Sequence, residues 1–207
     1  MTNTPLLPPS RAGTLELVGG MLALDFCNTS SGRGGARHLE HLRLAGDVVA
    51  WAAHAAVLDA AAAAALGARL AVDEGLATAL LGRALALREA VFGIGQARAQ
   101  GLAPGRVHLD ELAATHAACL APARLAADGA VYRWGWDPAA APVEAVLGPI
   151  AVSAVGLLTQ GEAGRLKQCQ GVHCGWLFCD RTKNRSRRWC EMEVCGNRAK
   201  QRRRRGG

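Results

Sequence analysis

Aromatic side chains are scarce in this chain: five Trp, three Phe and one Tyr among 207 residues. A core must therefore come from aliphatic residues, and the density of alanine between Ala52 and Ala90 favours helices whose backbones approach closely. No run reaches the ~18 uninterrupted apolar residues of a membrane span, so no membrane partner is expected. The opening MTNTPLLPPSRAGT has no basic start followed by a long apolar stretch. It is not a secretory signal, and residues 1–13 read as a flexible leader. No repeat at a solenoid period is present. Half of the residues are hydrophobic, which excludes wholesale disorder.

Acidic residues are scarce in one part of the chain only. Residues 165–207 hold 13 Lys and Arg against Asp180, Glu191 and Glu193, a formal charge of +10. Residues 1–164 hold 11 bases and 14 acids, a formal −3, and the two parts sum to the net +7. A mildly acidic body with a basic end is the asymmetry of a nucleic-acid-binding appendage.

Periodicity outlines the body. Residues 14–29, TLELVGGMLALDFCNT, read as two short apolar runs about Gly19-Gly20, a hairpin signal. Asp47 could cap a helix through Val48, Trp51, Ala55 and Leu58. Leu80, Ala84, Leu87, Val91 and Ile94 mark a helix over 76–98. Leu109, Leu112, His116, Cys119 and Leu120 form another helical stripe. Asp128-Gly129 within 123–136 predicts a hairpin. A helix over 142–159 should kink or split at Pro149. Gly161 and Gly164 bracket a boundary, dividing the chain into a body of 14–160 and a module of 165–207. His38, His41, His54, His108 and His116 show no metal spacing.

The module carries the chemistry. An unexported chain is expected in the cytoplasm, where thiols stay reduced, so regularly spaced cysteines point to metal rather than disulfides. Four residues separate Cys169 from Cys174 and four separate Cys190 from Cys195, with fifteen between the pairs. Two thiolate pairs on two turns make the tetrahedral sulfur set that one structural zinc ion prefers. Gly171 and Gly175 suit the tight turn of such a knuckle, Trp176, Leu177 and Phe178 a strand, and the residues after Cys190 a helix. The expected arrangement is treble-clef-like, and the metal would supply much of its folding free energy. The fold class is α+β, mainly helical: a helical body with one or two hairpins, then this four-cysteine module.

The stretch from Trp189-Cys190 through Cys195-Gly196-Asn197-Arg198-Ala199-Lys200, with CGWLF upstream, resembles the CGNR zinc-finger family. The opening GGMLALDFCNT is similar to the ABATE domain that accompanies that finger. Together the resemblances cover nearly the whole chain and imply a bacterial stress-induced transcription regulator. The sequence departs from the pattern at Cys27 and Cys179, which stand where aliphatic residues are usual. Each reads as a small buried apolar side chain. Cys179 or His173 could instead compete for the metal.

Phosphate contacts are expected from Arg185, Arg187, Arg188, Arg198, Lys200, Arg202, Arg203, Arg204 and Arg205, since arginine binds phosphate in a bidentate manner. Asn197 and Arg198 have the chemistry to read adenine and guanine edges, or else brace the helix. Asp25 and Asn28 could line a pocket for a small-molecule signal, or make capping and turn bonds. Trp134 and Trp136 share a strand face and read as core or interface. The leading expectation is a double-stranded-DNA-binding regulator, nucleoid-associated when bound, whose body senses a ligand or forms a homodimer. An RNA-binding or protein-interaction adaptor is the alternative. No enzyme is expected, because no base that would activate a cysteine is identifiable.

Overall fold

The computed structural model describes residues 10–33 and 35–205, apart from the side chain of Arg203. Residues 1–9 of the expected leader lie outside these. Residues 10–13 are docked on the body: Ser10 Oγ donates to the His41 carbonyl at 2.7 Å, and Ala12 is buried in a 3-10 turn, Ala12–Thr14.

Seven helices dominate: α1 (Leu22–Cys27), α2 (Ala45–His54), α3 (Ala60–Leu70), α4 (Glu74–Ala99), α5 (Arg106–Leu120), α6 (Pro142–Thr159) and α7 (Asn197–Arg205). Three antiparallel strand pairs accompany them: β1 (Ser30–Ser31) with β2 (Leu39–Glu40), β3 (Arg124–Asp128) with β4 (Val131–Gly135), and β5 (Leu166–Gln168) with β6 (Leu177–Cys179). The protein is α+β and mainly helical.

The long periodic segments fold as their patterns dictate. All five stripe residues of α4, Leu80 to Ile94, are buried, and Asp73 caps the helix by accepting from Leu76 N at 2.8 Å. Asp47 acts inside α2 rather than before it; its carboxylate accepts from the backbone N–H of Arg43 and Leu44 at 2.8 and 3.0 Å. α6 spans Pro149 without splitting. The ring removes one helical hydrogen bond, at ~3 kcal/mol, but Val146, Leu147, Ile150 and Ala151 around it are fully buried. Burial at ~1.5–3 kcal/mol per large aliphatic side chain outweighs that loss. By length and composition α6 could cross a bilayer, yet ten of its residues are buried in the protein core against α1, α4 and α5.

The hairpin expected about Gly19-Gly20 does not form. Gly20 does turn the chain, at φ 77°, but Leu22–Cys27 is the helix α1. Leu and Ala are good helix formers, and the helix buries Ala23, Leu24, Phe26 and Cys27 together, with the Phe26 ring 4.9 Å from that of Trp51. The alanine-rich α3 buries Leu66 and packs Ala62, Ala63 and Leu70 partly against the core; Asp59 marks its start, accepting from Ala62 N at 2.8 Å.

Candidate metal centre and its basic helix

Strand alternation divides β6 between two cores. Leu177 and Cys179 point to the body, clustering with Leu24, Leu157 and Leu166. Phe178 points the other way, clustering with Cys169, Cys190 and Cys195 beneath Trp176, Trp189 and Val18. One three-residue strand thus joins the module to the helices.

The first knuckle closes with Cys174 N donating to Gly171 O at 2.9 Å, while Gly171 N donates to Cys169 Sγ at 3.4 Å. A Cβ at Gly171 would lie 3.1 Å from Cys174 Cβ and 3.2 Å from Cys195 Sγ, so a side chain there would press on the sulfur cluster. Of the second pair, Cys190 precedes and Cys195 lies within a π-helical turn, Met192–Gly196, that leads straight into α7. Gln170 N donates to Arg188 O at 3.0 Å and ties the two halves together.

All four sulfurs, Cys169, Cys174, Cys190 and Cys195, lie within 4.8 Å of one another. The Cys174–Cys190 and Cys190–Cys195 separations are 3.6 and 3.8 Å. A regular tetrahedron with metal–sulfur bonds of ~2.3 Å has edges of about 3.8 Å, so the donor set fits zinc. Hydrogen bonds from Cys174 and then Cys190 pull the Cys169 thiol far below its ordinary pKa, and donating to Cys169 pushes Cys174 and Cys190 up. One thiolate is supported by its neighbours; four together need a cation. The centre is that of one structural zinc, which supplies charge neutralisation and cross-linking.

The alternative ligands stay apart. Cys179 Sγ donates to Glu162 Oε2 at 3.3 Å on the body side of β6, and His173 is exposed outside the sulfur cluster. Cys27 and Cys119 are buried; burial pushes their thiols up to about 12 and about 11.

Residues that composition did not flag set the module in place. Asn28, expected either in a pocket or a turn, is 2% exposed. Its amide donates to Leu177 O at 3.0 Å and accepts from Leu177 N at 2.9 Å, bonding the edge of β6 as a neighbouring strand would. Asp25 accepts from Gly19 N at 2.7 Å, and burial raises its carboxyl to about 6 against that bond. Both side chains thus hydrogen-bond to backbone. Further bonds cross the same seam: Cys179 N to Gly19 O at 2.8 Å, Gly32 N to Cys174 O at 3.0 Å, and Trp176 Nε1 to Ser31 Oγ at 3.2 Å. At Gly95 of α4 a Cβ would sit 2.5 Å from Leu177 Cδ1, so a side chain there would force the buried leucine to shift where the module lands. The loop reaching the knuckle is itself anchored. Arg88, 4% exposed, holds Glu40 through two 2.6 Å bonds and reaches Glu89 at 2.9 Å, and Arg33 pairs with Glu89.

Asp180 is fully buried and organises residues 181–188. It accepts from Lys167 Nζ at 2.8 Å, Thr182 N at 3.1 Å, Thr182 Oγ1 at 2.6 Å and Arg187 N at 2.9 Å. Burial alone would raise its carboxyl, but these donors, Lys167 first, hold it well below the usual carboxylate range. Of the expected phosphate-binding residues, Arg187 stacks 4.6 Å from the Phe178 ring centre and bonds Cys190 O, so its guanidinium braces the centre. Arg188 bonds Gln170 Oε1 at 2.7 Å, and Asn197 donates to Glu193 O at 2.9 Å. Arg185, Arg198, Lys200, Arg202, Arg204 and Arg205 are exposed. Trp136 donates to Cys119 O at 2.7 Å and packs on the body core, whereas Trp134 is 45% exposed.

A strand pair around a cysteine knuckle, a second knuckle and a terminal helix define a zinc finger, and the CGNR zinc finger model matches residues 165–206. The rest of the chain completes the assignment. The ABATE model, described as "Putative stress-induced transcription regulator", matches residues 20–161, and the chain belongs to this family. No curated protein matches the sequence.

Proposed function

We propose that the protein is a non-enzymatic regulator that binds double-stranded DNA through its zinc module, with α7 as the principal contact. The observation that carries this reading is α7 itself. Its sequence holds six basic residues and no acid, it begins two residues after the ligand Cys195, and it is exposed at Arg198, Lys200, Arg202, Arg204 and Arg205. A basic helix held at its root by a metal cross-link meets a polyanion with less ordering cost than a loose tail. Arg185 adds charge from the loop that Asp180 organises, while Arg187, Arg188 and Asn197 act by bracing. The family's regulatory description agrees with this reading. Buried, upshifted Cys27 and Cys119 and a four-thiolate zinc without an open position favour a non-catalytic role.

The test is a salt titration of duplex binding by the zinc-loaded chain. The log–log slope is about −0.9 per phosphate neutralised. Replacing Arg202, Arg204 and Arg205 by Gln should reduce its magnitude by about 2.7 if each meets one phosphate. An unchanged slope would remove α7 from the interface. Tighter binding of an RNA duplex at the same salt would favour the RNA-binding adaptor instead.

A further inference from the structure

The β3–β4 hairpin stands clear of the core. All five residues of β3 and four of the five in β4 are exposed, among them Leu125 (57%), Tyr132 (71%) and Trp134 (45%). A lone two-stranded hairpin is marginally stable in water, and an open edge is a template for another strand. The residues flanking it tie it to the end of α5, Trp136 through Cys119 O and Ala123 N through Leu120 O.

Its pairing determines which edge groups are open. Gly129, at φ 60°, and Ala130 form a two-residue turn, and Asp128 faces Val131. The pair flanking such a turn exchanges backbone hydrogen bonds, and the bonds alternate from there. Arg124, Ala126 and Asp128 therefore bond to β4, while the N–H and C=O of Leu125 and Ala127 point outward.

We infer that the outer edge of β3 is a homodimer contact, pairing antiparallel with β3 of a second copy about a twofold axis at Ala126. In this register Leu125 faces Ala127 of the second copy, and the reverse, so four backbone hydrogen bonds form from the four outward residues. Arg124 then faces Asp128 of the second copy at both ends. Shifting the register by two in either direction sets Leu125 or Ala127 against itself and breaks both charge pairs. The outer edge of β4 is less suited: its equivalent central register places Arg133 opposite Arg133, and like charges directly opposed are destabilising. Asp128 already pairs with Arg133 on its own chain, so each end of the dimer becomes an Arg–Asp–Arg cluster. The product is a four-stranded sheet with Leu125, Ala127, Tyr132 and Trp134 of each copy on one face. An edge contact is small beside the ~1,000 Å² of a lasting interface, so the dimer is reversible and concentration-dependent.

This inference does not depend on nucleic acid and is tested without it, on the zinc-loaded full chain. Sedimentation over a rising micromolar series should carry the mass from 21.6 kDa towards twice that value. Leu125→Pro removes an outward N–H and spares the bonds to β4, so it should hold the chain monomeric. Arg124→Asp should weaken association roughly tenfold or more, whereas Arg124→Lys should retain it. Ala126→Cys should cross-link to its own copy under mild oxidation, because a non-hydrogen-bonded pair brings Cα atoms within disulfide range. Zinc content and far-UV circular dichroism equal to the parent verify each fold. A parent that stays at the monomer mass overturns the inference. So does a dimer indifferent to Leu125→Pro and Arg124→Asp, or an Ala126→Cys chain that does not cross-link.

Discussion

Asn28 shows how much one side chain can carry. It is the only carboxamide bonded to both the N–H and the C=O of a β6 residue among the described hydrogen bonds, and Leu177 at the other end is fully buried. Asn28→Ala leaves two buried backbone groups without partners. At ~1–3 kcal/mol each, the zinc-loaded protein should lose about 2–6 kcal/mol in urea unfolding. A loss below ~0.5 kcal/mol would mean that water replaces the amide without penalty. Nothing in LDFCNT distinguishes an asparagine that caps a turn from one that bonds a strand some 150 positions away. The sequence offers both readings, and only the fold selects one. Cys179 was more legible. Its parity with Leu177 on a short strand places it away from the sulfurs, as its reading as a small apolar residue requires.

At the scale of elements, long periodic segments were legible and short ones were not. The stripes of α4 and α6 specify their helices because many buried positions repeat the same message. In α1 four of six residues are buried against a body that lies outside the local sequence, and tertiary burial overrides the Gly-Gly hairpin signal. α3 is less legible because alanines stand on both its exposed and its core-facing sides and mark the stripe of Ala62, Ala63, Leu66 and Leu70 only weakly. The loop 181–188 shows the same limit. Composition marks it as basic, but its shape comes from Asp180 beneath it. Asp180→Ala removes the acceptor for the Arg187 N–H and leaves the Lys167 ammonium only the Arg185 and Arg187 carbonyls. Tryptic cleavage at Arg185, Arg187 and Arg188 should then accelerate roughly tenfold or more while zinc stays bound. Unaltered cleavage would show that the metal alone holds the loop.

On the scale of the whole molecule, the basic end is not an appendage on a linker. β6, Asn28, Gly19, Gly32 and Gly95 build the zinc module into the helical body. Four well-spaced cysteines were enough to read the metal centre from the sequence, since ligand spacing is a local property. The seam was not legible, because its bonds join residues on opposite sides of the chain. Metal, strand and body therefore form one unit, and α7 leaves it from a fixed root. The most direct measurement of this centre is zinc K-edge X-ray absorption on the purified full chain. One zinc per chain with four sulfur neighbours at ~2.3 Å is the predicted result. A nitrogen or oxygen in that shell, or a folded chain that carries no zinc, would contradict it.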